Sequence, residues 1–143
     1  MSVSVVIAGE LLRASRPGYP RGRDCPVPEK DVLDWLEQVR GASVASILCL
    51  LDDRHLSMYA DCAEGTGLLE AYRRAGFVVG HVPIQDHKRP PLSPMEMEQA
   101  LELFGSLPKP VLIHCSAGVD RTGAVVDRIR TLFAGEGQKQ GKT

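Results

Sequence analysis

The chain has 143 residues, the size of one compact domain, and its 43% hydrophobic and 24% charged residues exclude a disordered or fibrous protein. A formal net charge of -1 argues against a nucleic-acid coat or a polybasic membrane anchor. The N-terminus has no basic stretch leading into a long apolar run, and the longest apolar segment, around residues 44–51, is too short to span a bilayer, so the expectation is a soluble, intracellular, cytoplasmic protein.

Residues 3–7 are β-branched and predict a strand. Residues 16–28 hold four prolines and two glycines and predict a loop. Over residues 29–40, Val32, Leu33, Leu36 and Val39 draw one apolar stripe on a helix, with Trp35 near its edge and Gly41 as the stop. Residues 43–51 form a continuous apolar run, read as a buried strand, after which Asp52 or Asp53 can cap a short helix. A second helix is expected over 67–75, closed by Gly76, and another strand over 77–84. Residues 85–91 read as a polar loop.

Ser93 and Glu96 have the spacing of a capping box, opening a helix to about residue 107 with Met97, Leu101 and Leu103 on or near its apolar face. Pro108 and Pro110 end it. Residues 111–114 predict a short buried strand and 122–133 a helix. The domain is expected to occupy residues 1–134, with 135–143 a polar, flexible tail. The alternation of strands and helices predicts a single α/β domain with a mostly parallel central sheet flanked by helices, and ligands in such sheets bind beyond the carboxyl ends of the strands.

Four cysteines, Cys25, Cys49, Cys62 and Cys115, form no C-x-x-C pair, which argues against a zinc site or a disulfide framework. Cys49 reads as a buried small hydrophobe, and Cys25 and Cys62 as bystanders. Cys115 has different neighbours. The run His114-Cys115-Ser116-Ala117-Gly118-Val119-Asp120-Arg121-Thr122-Gly123 follows a strand and opens a helix. A tight loop there turns backbone N–H groups inward as an anion nest, and the helix N-terminus adds positive dipole charge. Ser116, Ala117 and Gly118 are small enough to let backbone close around a phosphate. Arg121 can donate two parallel hydrogen bonds to phosphate oxygens. The sulfur of Cys115 then sits where an anion is favoured, as a nucleophile facing phosphorus.

His-Cys-x5-Arg-Thr-Gly resembles the signature of the protein-tyrosine phosphatase superfamily, and the short chain looks most like the dual-specificity subgroup. The likeness runs from about residue 11 to 132. Leu11-Leu12-Arg13-Ala14-Ser15-Arg16-Pro17 resembles the segment that opens many small members, residues 44–51 their next core strand, and Val82-Pro83-Ile84-Gln85-Asp86 the approach to their general-acid loop. The resemblance implies that Cys115 attacks phosphorus and becomes a phosphocysteine. It implies that the backbone N–H groups of 116–121 and the Arg121 fork hold the equatorial oxygens. Asp86 is implied as the acid that protonates the leaving oxygen and then helps activate water. Thr122 is implied to bond the departing sulfur, and His114 to bond the loop backbone and support the ionised sulfur. No metal or other cofactor is needed. The implied partner is a phosphoprotein or another phosphomonoester, with no stable nucleic acid or membrane contact, and the oligomeric state stays open.

Two departures matter. Where many relatives have Gly before the arginine, this chain has Asp120. Myotubularin-like lipid phosphatases carry Asp there as their acid, so Asp120 rivals Asp86. Val119 stands where several inositide phosphatases have lysine, and Ser116 is also uncharged, which weakens a polyanionic lipid substrate. The chain also stops soon after the helix following the signature, where many relatives have further helices; a minimal member and a shortened one both fit. The expected substrate is phosphotyrosine, extending to phosphoserine and phosphothreonine. The alternatives are a phosphoinositide, an inositol phosphate or an RNA 5′-phosphate, and a phosphate-binding module with little turnover. His87, Lys88 and Arg89 read as a solvated rim, with a substrate contact by Lys88 or Arg89 as the alternative, His55 and His81 as ordinary structural or surface residues, and Ser15 as a turn residue; Arg13 is a candidate for a core-surface ion pair, its role open.

Overall fold

A computed structural model describes residues 3–19 and 25–141. Its elements, in chain order, are β1 (Ser4–Ile7), β2 (Leu11–Ala14), α1 (Glu29–Gly41), β3 (Ser46–Cys49), α2 (Asp53–Leu56), α3 (Cys62–Gly65), α4 (Leu68–Arg74), β4 (Val78–His81), α5 (Pro94–Ser106), β5 (Val111–His114) and α6 (Asp120–Gly141), with a 3-10 turn at Ser57–Tyr59 between α2 and α3. They form one five-stranded sheet in the order β1-β2-β5-β3-β4. Among the described residues, only the β1–β2 pair is antiparallel; the other pairs are parallel. This is the expected mostly parallel α/β domain. The strand β2 was not anticipated, because four residues ending in a proline-rich stretch carry too little pattern. The loop expected over 16–28 falls in part outside the described residues.

The sheet separates two cores. On one face Val32, Trp35, Leu36 and Val39 of α1 pack with Tyr59, Leu68 and Tyr72 against Ile47, Cys49 and Leu112. On the other, Ala100 and Phe104 of α5 and Val125, Val126 and Ile129 of α6 pack against Leu48, Leu50, Val111 and Ile113. Alternate residues of β3 and β5 thus serve opposite faces, as a pleated strand requires. The continuous apolar runs in the sequence follow from covering both faces.

Three details depart from the pattern read in the sequence, the first being that α6 runs to Gly141, through most of the stretch 135–143 expected as a flexible tail. Trp35 lies at the centre of the α1 stripe and is buried, whereas Leu33 is 54% exposed, because the buried positions 32, 35, 36 and 39 follow the i, i+3, i+4, i+7 rule. Cys62, expected in a polar segment, is buried in the first core. The Ser93–Glu96 capping box opens α5 as expected, with the Ser93 hydroxyl accepting from Glu96 N at 3.1 Å.

Strand register brings four loops to one edge. Ala14 pairs with His114, His114 with Cys49, and Cys49 with His81, so the carboxyl ends of β2, β5, β3 and β4 are level. The segments after them, carrying Arg16, Cys115, Asp52 and Asp86, leave the sheet side by side. Among the described residues, no helix is long and apolar enough to cross a membrane.

Candidate active site

The segment from Cys115 to Val119 connects β5 to α6, and its Cys115, Ser116 and Ala117 line a cavity of about 310 Å³. Its walls include Tyr19, His55, Asp86, Cys115, Asp120 and Arg121. Cys115 is 2% exposed and follows the fully buried β5. Gly118 takes φ +78°, and a Cβ there would stand 2.6 Å from the carbonyl oxygen of Ala14, so the loop lies directly on the end of β2 and has no space for a side chain. Asp120 starts α6, where a carboxylate meets the positive end of the helix dipole.

Arg121 is 1% exposed. Its Nη1 donates to the carbonyls of Ile84 at 2.7 Å and Leu50 at 3.4 Å, which fixes the guanidinium plane from the β3 and β4 sides. Nη2 lies 3.5 Å from Asp86 Oδ1. Neither Nε nor Nη2 makes a hydrogen bond with a described residue. A buried donor without an acceptor costs about 1–3 kcal/mol, more when charged, so two on one edge of a guanidinium mark a place for an anion. Thr122 Oγ1 is likewise buried without a hydrogen-bond partner among the described residues.

His114 is enclosed by aromatic rings, 5.4 Å from Trp35 and 5.8 Å from Tyr72 between centroids, both edge-on. Its Nδ1 lies 3.1 Å from the carbonyl oxygen of Cys115 and its Nε2 2.9 Å from Tyr72 Oη. Burial pushes the imidazole down from its ordinary 6.5 to about 4, against the carbonyl hydrogen bond that favours the charged form. The ring is therefore neutral at pH 7. A carbonyl only accepts, so Nδ1 carries the proton and Nε2 accepts from the Tyr72 hydroxyl. His114 bonds the loop backbone as the resemblance implied, but it brings no positive charge to the sulfur.

The family model Tc-R-P, described as polymorphic toxin system, DSP-PTPase phosphatase, matches residues 30–132, with Asp86, the cup segment from Cys115 to Arg121 and strands β3, β4 and β5 inside the match and Tyr19 outside it. The chain belongs to this family of DSP-PTPase phosphatases. Among curated proteins none matches it. Solved structures of similar fold include the core catalytic domain of the PP-IP phosphatase SIW14 from S. cerevisiae, at TM-score 0.57 and 21% identity over 91% of this chain and 65% of that one. Tk-PTP in its active form gives 0.56 at 20% identity, over 87% and 68%. Kinase associated phosphatase, with its catalytic-site cysteine replaced by serine, gives 0.57 at 20% identity, over 81% and 64%. The chain spans about two thirds of the length of each of these structures.

Within this DSP-PTPase fold, the sequence-derived candidates come together. Cys115, Ser116, Ala117, Asp120, Arg121 and Asp86 all line one cavity. Gly118 lines the adjoining one, and Val119 is 61% exposed at the helix start. Asp86 and Asp120 both reach the cup, Asp86 beside the guanidinium and Asp120 exposed at the rim. Lys88 turns away to Glu96, at 2.5 Å.

Contributors missed in the sequence include His55, Tyr19, Arg16 and Arg54, the last in the wall of the cavity. His55, read as an ordinary structural or surface residue, lines the cup, with Nδ1 3.2 Å from Asp52 Oδ1. Burial lowers its pKa, opposed by Asp52. Tyr19 forms part of the wall. Arg16 is buried behind the loop and donates from Nε to Ser116 Oγ at 3.1 Å and from Nη1 to Tyr59 Oη at 3.0 Å. No local spacing ties any of them to the signature; only the alignment of strand ends does. A larger depression of about 470 Å³ between α1 and α4 shares no residue with the cup, and the Cys62 thiol in its wall is raised by burial. Cys49 is likewise pushed up by burial, to about 12.

Proposed function

We propose that the chain is a cysteine-dependent phosphatase that hydrolyses phosphotyrosine, with phosphoserine and phosphothreonine as further substrates. The observation that carries this reading is the Nε–Nη2 edge of the buried Arg121, which makes no hydrogen bond with a described residue and lies in the wall of the same cavity as Cys115. That edge matches the spacing of two phosphate oxygens. In the first step the Cys115 sulfur forms a bond to phosphorus while the ester P–O bond breaks, and Asp86 delivers a proton to the departing oxygen. In the second, water attacks phosphorus, Asp86 takes its proton, the S–P bond breaks and inorganic phosphate leaves. The Thr122 hydroxyl, without a hydrogen-bond partner among the described residues, bonds the departing sulfur. Cup amides and Arg121 meet the charge on the equatorial oxygens, which is where phosphoryl transfer gains most from fixed donors. The ring of Tyr19 in the wall offers a flat apolar surface to an aryl phosphate.

A second reading, an inositol phosphate substrate, is favoured by Arg54 in the same wall and by the description of SIW14 as a PP-IP phosphatase. Replacing the nucleophile tests the mechanism common to both. Cys115→Ser is expected to abolish turnover of an aryl phosphate while keeping vanadate binding; a serine variant as fast as the parent would overturn the assignment. Rates on phosphopeptides, inositol phosphates and a 5′-phosphorylated RNA then rank the substrates. Binding of all of these without hydrolysis by the parent chain would leave a phosphate-binding module.

A further inference from the structure

Three carbonyls of the cup loop are held from outside. His114 Nδ1 donates to the oxygen of Cys115 at 3.1 Å, the backbone N–H of Arg16 to that of Ser116 at 2.9 Å, and Arg13 Nη2 to that of Gly118 at 2.7 Å. A trans peptide unit is planar, so its C=O and the N–H of the next residue point in opposite directions. Each held carbonyl therefore turns the following N–H, that of Ser116, Ala117 or Val119, away from the hold. Two of the three holds come from β2 and the residues just after it, the strand that Gly118 packs against without space for a Cβ. The Arg16 side chain adds a further tie through its bond to Ser116 Oγ, and is itself fixed by Tyr59 Oη and by lying 5.6 Å from the centroid of the Tyr19 ring. Burial pushes Tyr59 up to about 12, so its hydroxyl keeps its proton and donates it to Pro17 O at 2.5 Å. Neither arginine lines the cavity that holds Cys115; Arg13 lies in the adjoining one with Ala117 and Gly118.

We propose that Arg13 and Arg16 are positioning residues: the Arg13 side chain aims the amide donor of Val119 into the cup by fixing the Gly118 carbonyl before it, and the Arg16 side chain steadies the same loop through Ser116 Oγ. The proposal rests on the phosphatase reading above, since the donors matter only if an oxyanion binds there. Fixed donors that meet charge developing in the transition state should raise kcat and the affinity for vanadate, which imitates the five-coordinate phosphorus, more than they lower KM.

The test compares the full chain with Arg13→Met, Arg13→Lys and Arg16→Met. It measures vanadate inhibition and the kcat and KM for para-nitrophenyl phosphate, at a temperature where circular dichroism finds each variant folded. Arg13→Met is expected to lose about tenfold or more in both vanadate affinity and kcat, with KM changed by less than about threefold. Arg13→Lys, whose ammonium can still donate to Gly118 O, is expected to recover part of both losses; a residue that only supports folding would shift the melting temperature and leave these constants alone. Vanadate affinity and kcat within about twofold of the parent in Arg13→Met would overturn the role of Arg13, and the same result in Arg16→Met that of Arg16. If Arg13→Met does not fold, the half-exposed site accepts Arg13→Gln, too short to keep the bond, and the same limits apply. A parent chain that neither hydrolyses the ester nor binds vanadate would end the phosphatase reading and this proposal with it. An active parent beside unchanged variants ends the positioning role alone.

Discussion

Asp86 and Asp120 approach one cavity from different elements. Asp86 comes from the segment after β4, with Oδ1 accepting the His87 N–H at 3.0 Å and lying 3.5 Å from Arg121 Nη2. Asp120 is fixed to the first turn of α6. An acid must reach the leaving oxygen, on the side of phosphorus opposite the sulfur, and a loop at the cup mouth can do that more readily than the first residue of a helix rooted in the cup floor. Asp86→Ala is therefore expected to lower kcat by roughly 10²–10⁴ on an alkyl phosphate and by much less on an ester with a good leaving group. Asp120→Ala is expected to leave that leaving-group dependence as it is. Rates across a series of aryl and alkyl phosphates check both, and the reverse pattern would move the acid to Asp120. Both carboxylates were legible in the sequence; which one approaches the guanidinium was not, because that depends on where the end of β4 lies relative to β5.

At the scale of elements, the cup is a contact between β2 and the β5–α6 connection. Gly118 makes that contact possible, with a left-handed φ and the Ala14 carbonyl 2.6 Å from any added Cβ. Gly118→Ala must either push the loop off β2 or bend it, at a cost of roughly 1–3 kcal/mol for the backbone strain before the clash is counted. The expected result is a lower thermal midpoint together with loss of vanadate binding, since the Gly118 carbonyl that Arg13 holds moves with it. A Gly118→Ala protein that binds vanadate as the parent does would show that the loop is not seated on β2. The sequence revealed the helices α1, α4 and α5 through apolar spacing and stop signals, and β3, β4 and β5 through apolar runs. It did not reveal β2, whose partner β5 lies about a hundred residues away and supplies the pairing that makes it a strand.

For the whole molecule, burial of imidazoles couples stability to pH. His114 has a folded pKa of about 4, below the ordinary 6.5, so the unfolded chain binds the proton more tightly. The stabilisation is complete above pH 6.5 and is lost as pH falls toward 4. By pH 5 this one group should remove about 2 kcal/mol. His55, lowered by burial, acts in the same direction. The urea midpoint is expected to fall steadily between pH 7 and pH 5, where most carboxylates remain ionised, and a flat profile there would contradict a neutral His114 between Tyr72 and the cup.

By itself the sequence determined the α/β class and the covering of both sheet faces, and it marked Cys115, the loop after it and Arg121 as candidates for nucleophile, anion loop and clamp, because strand, loop and helix start are contiguous and the expected chemistry follows from spacing within ten residues. Tertiary structure decided what surrounds that segment: the carbonyls that orient Arg121, the cage around His114, the place of His55 and Tyr19 in the wall, and the hold of Arg13 and Arg16 on the loop. Those partners are joined only by parallel pairing of β2, β5, β3 and β4, and no local pattern encodes which strand ends will stand side by side.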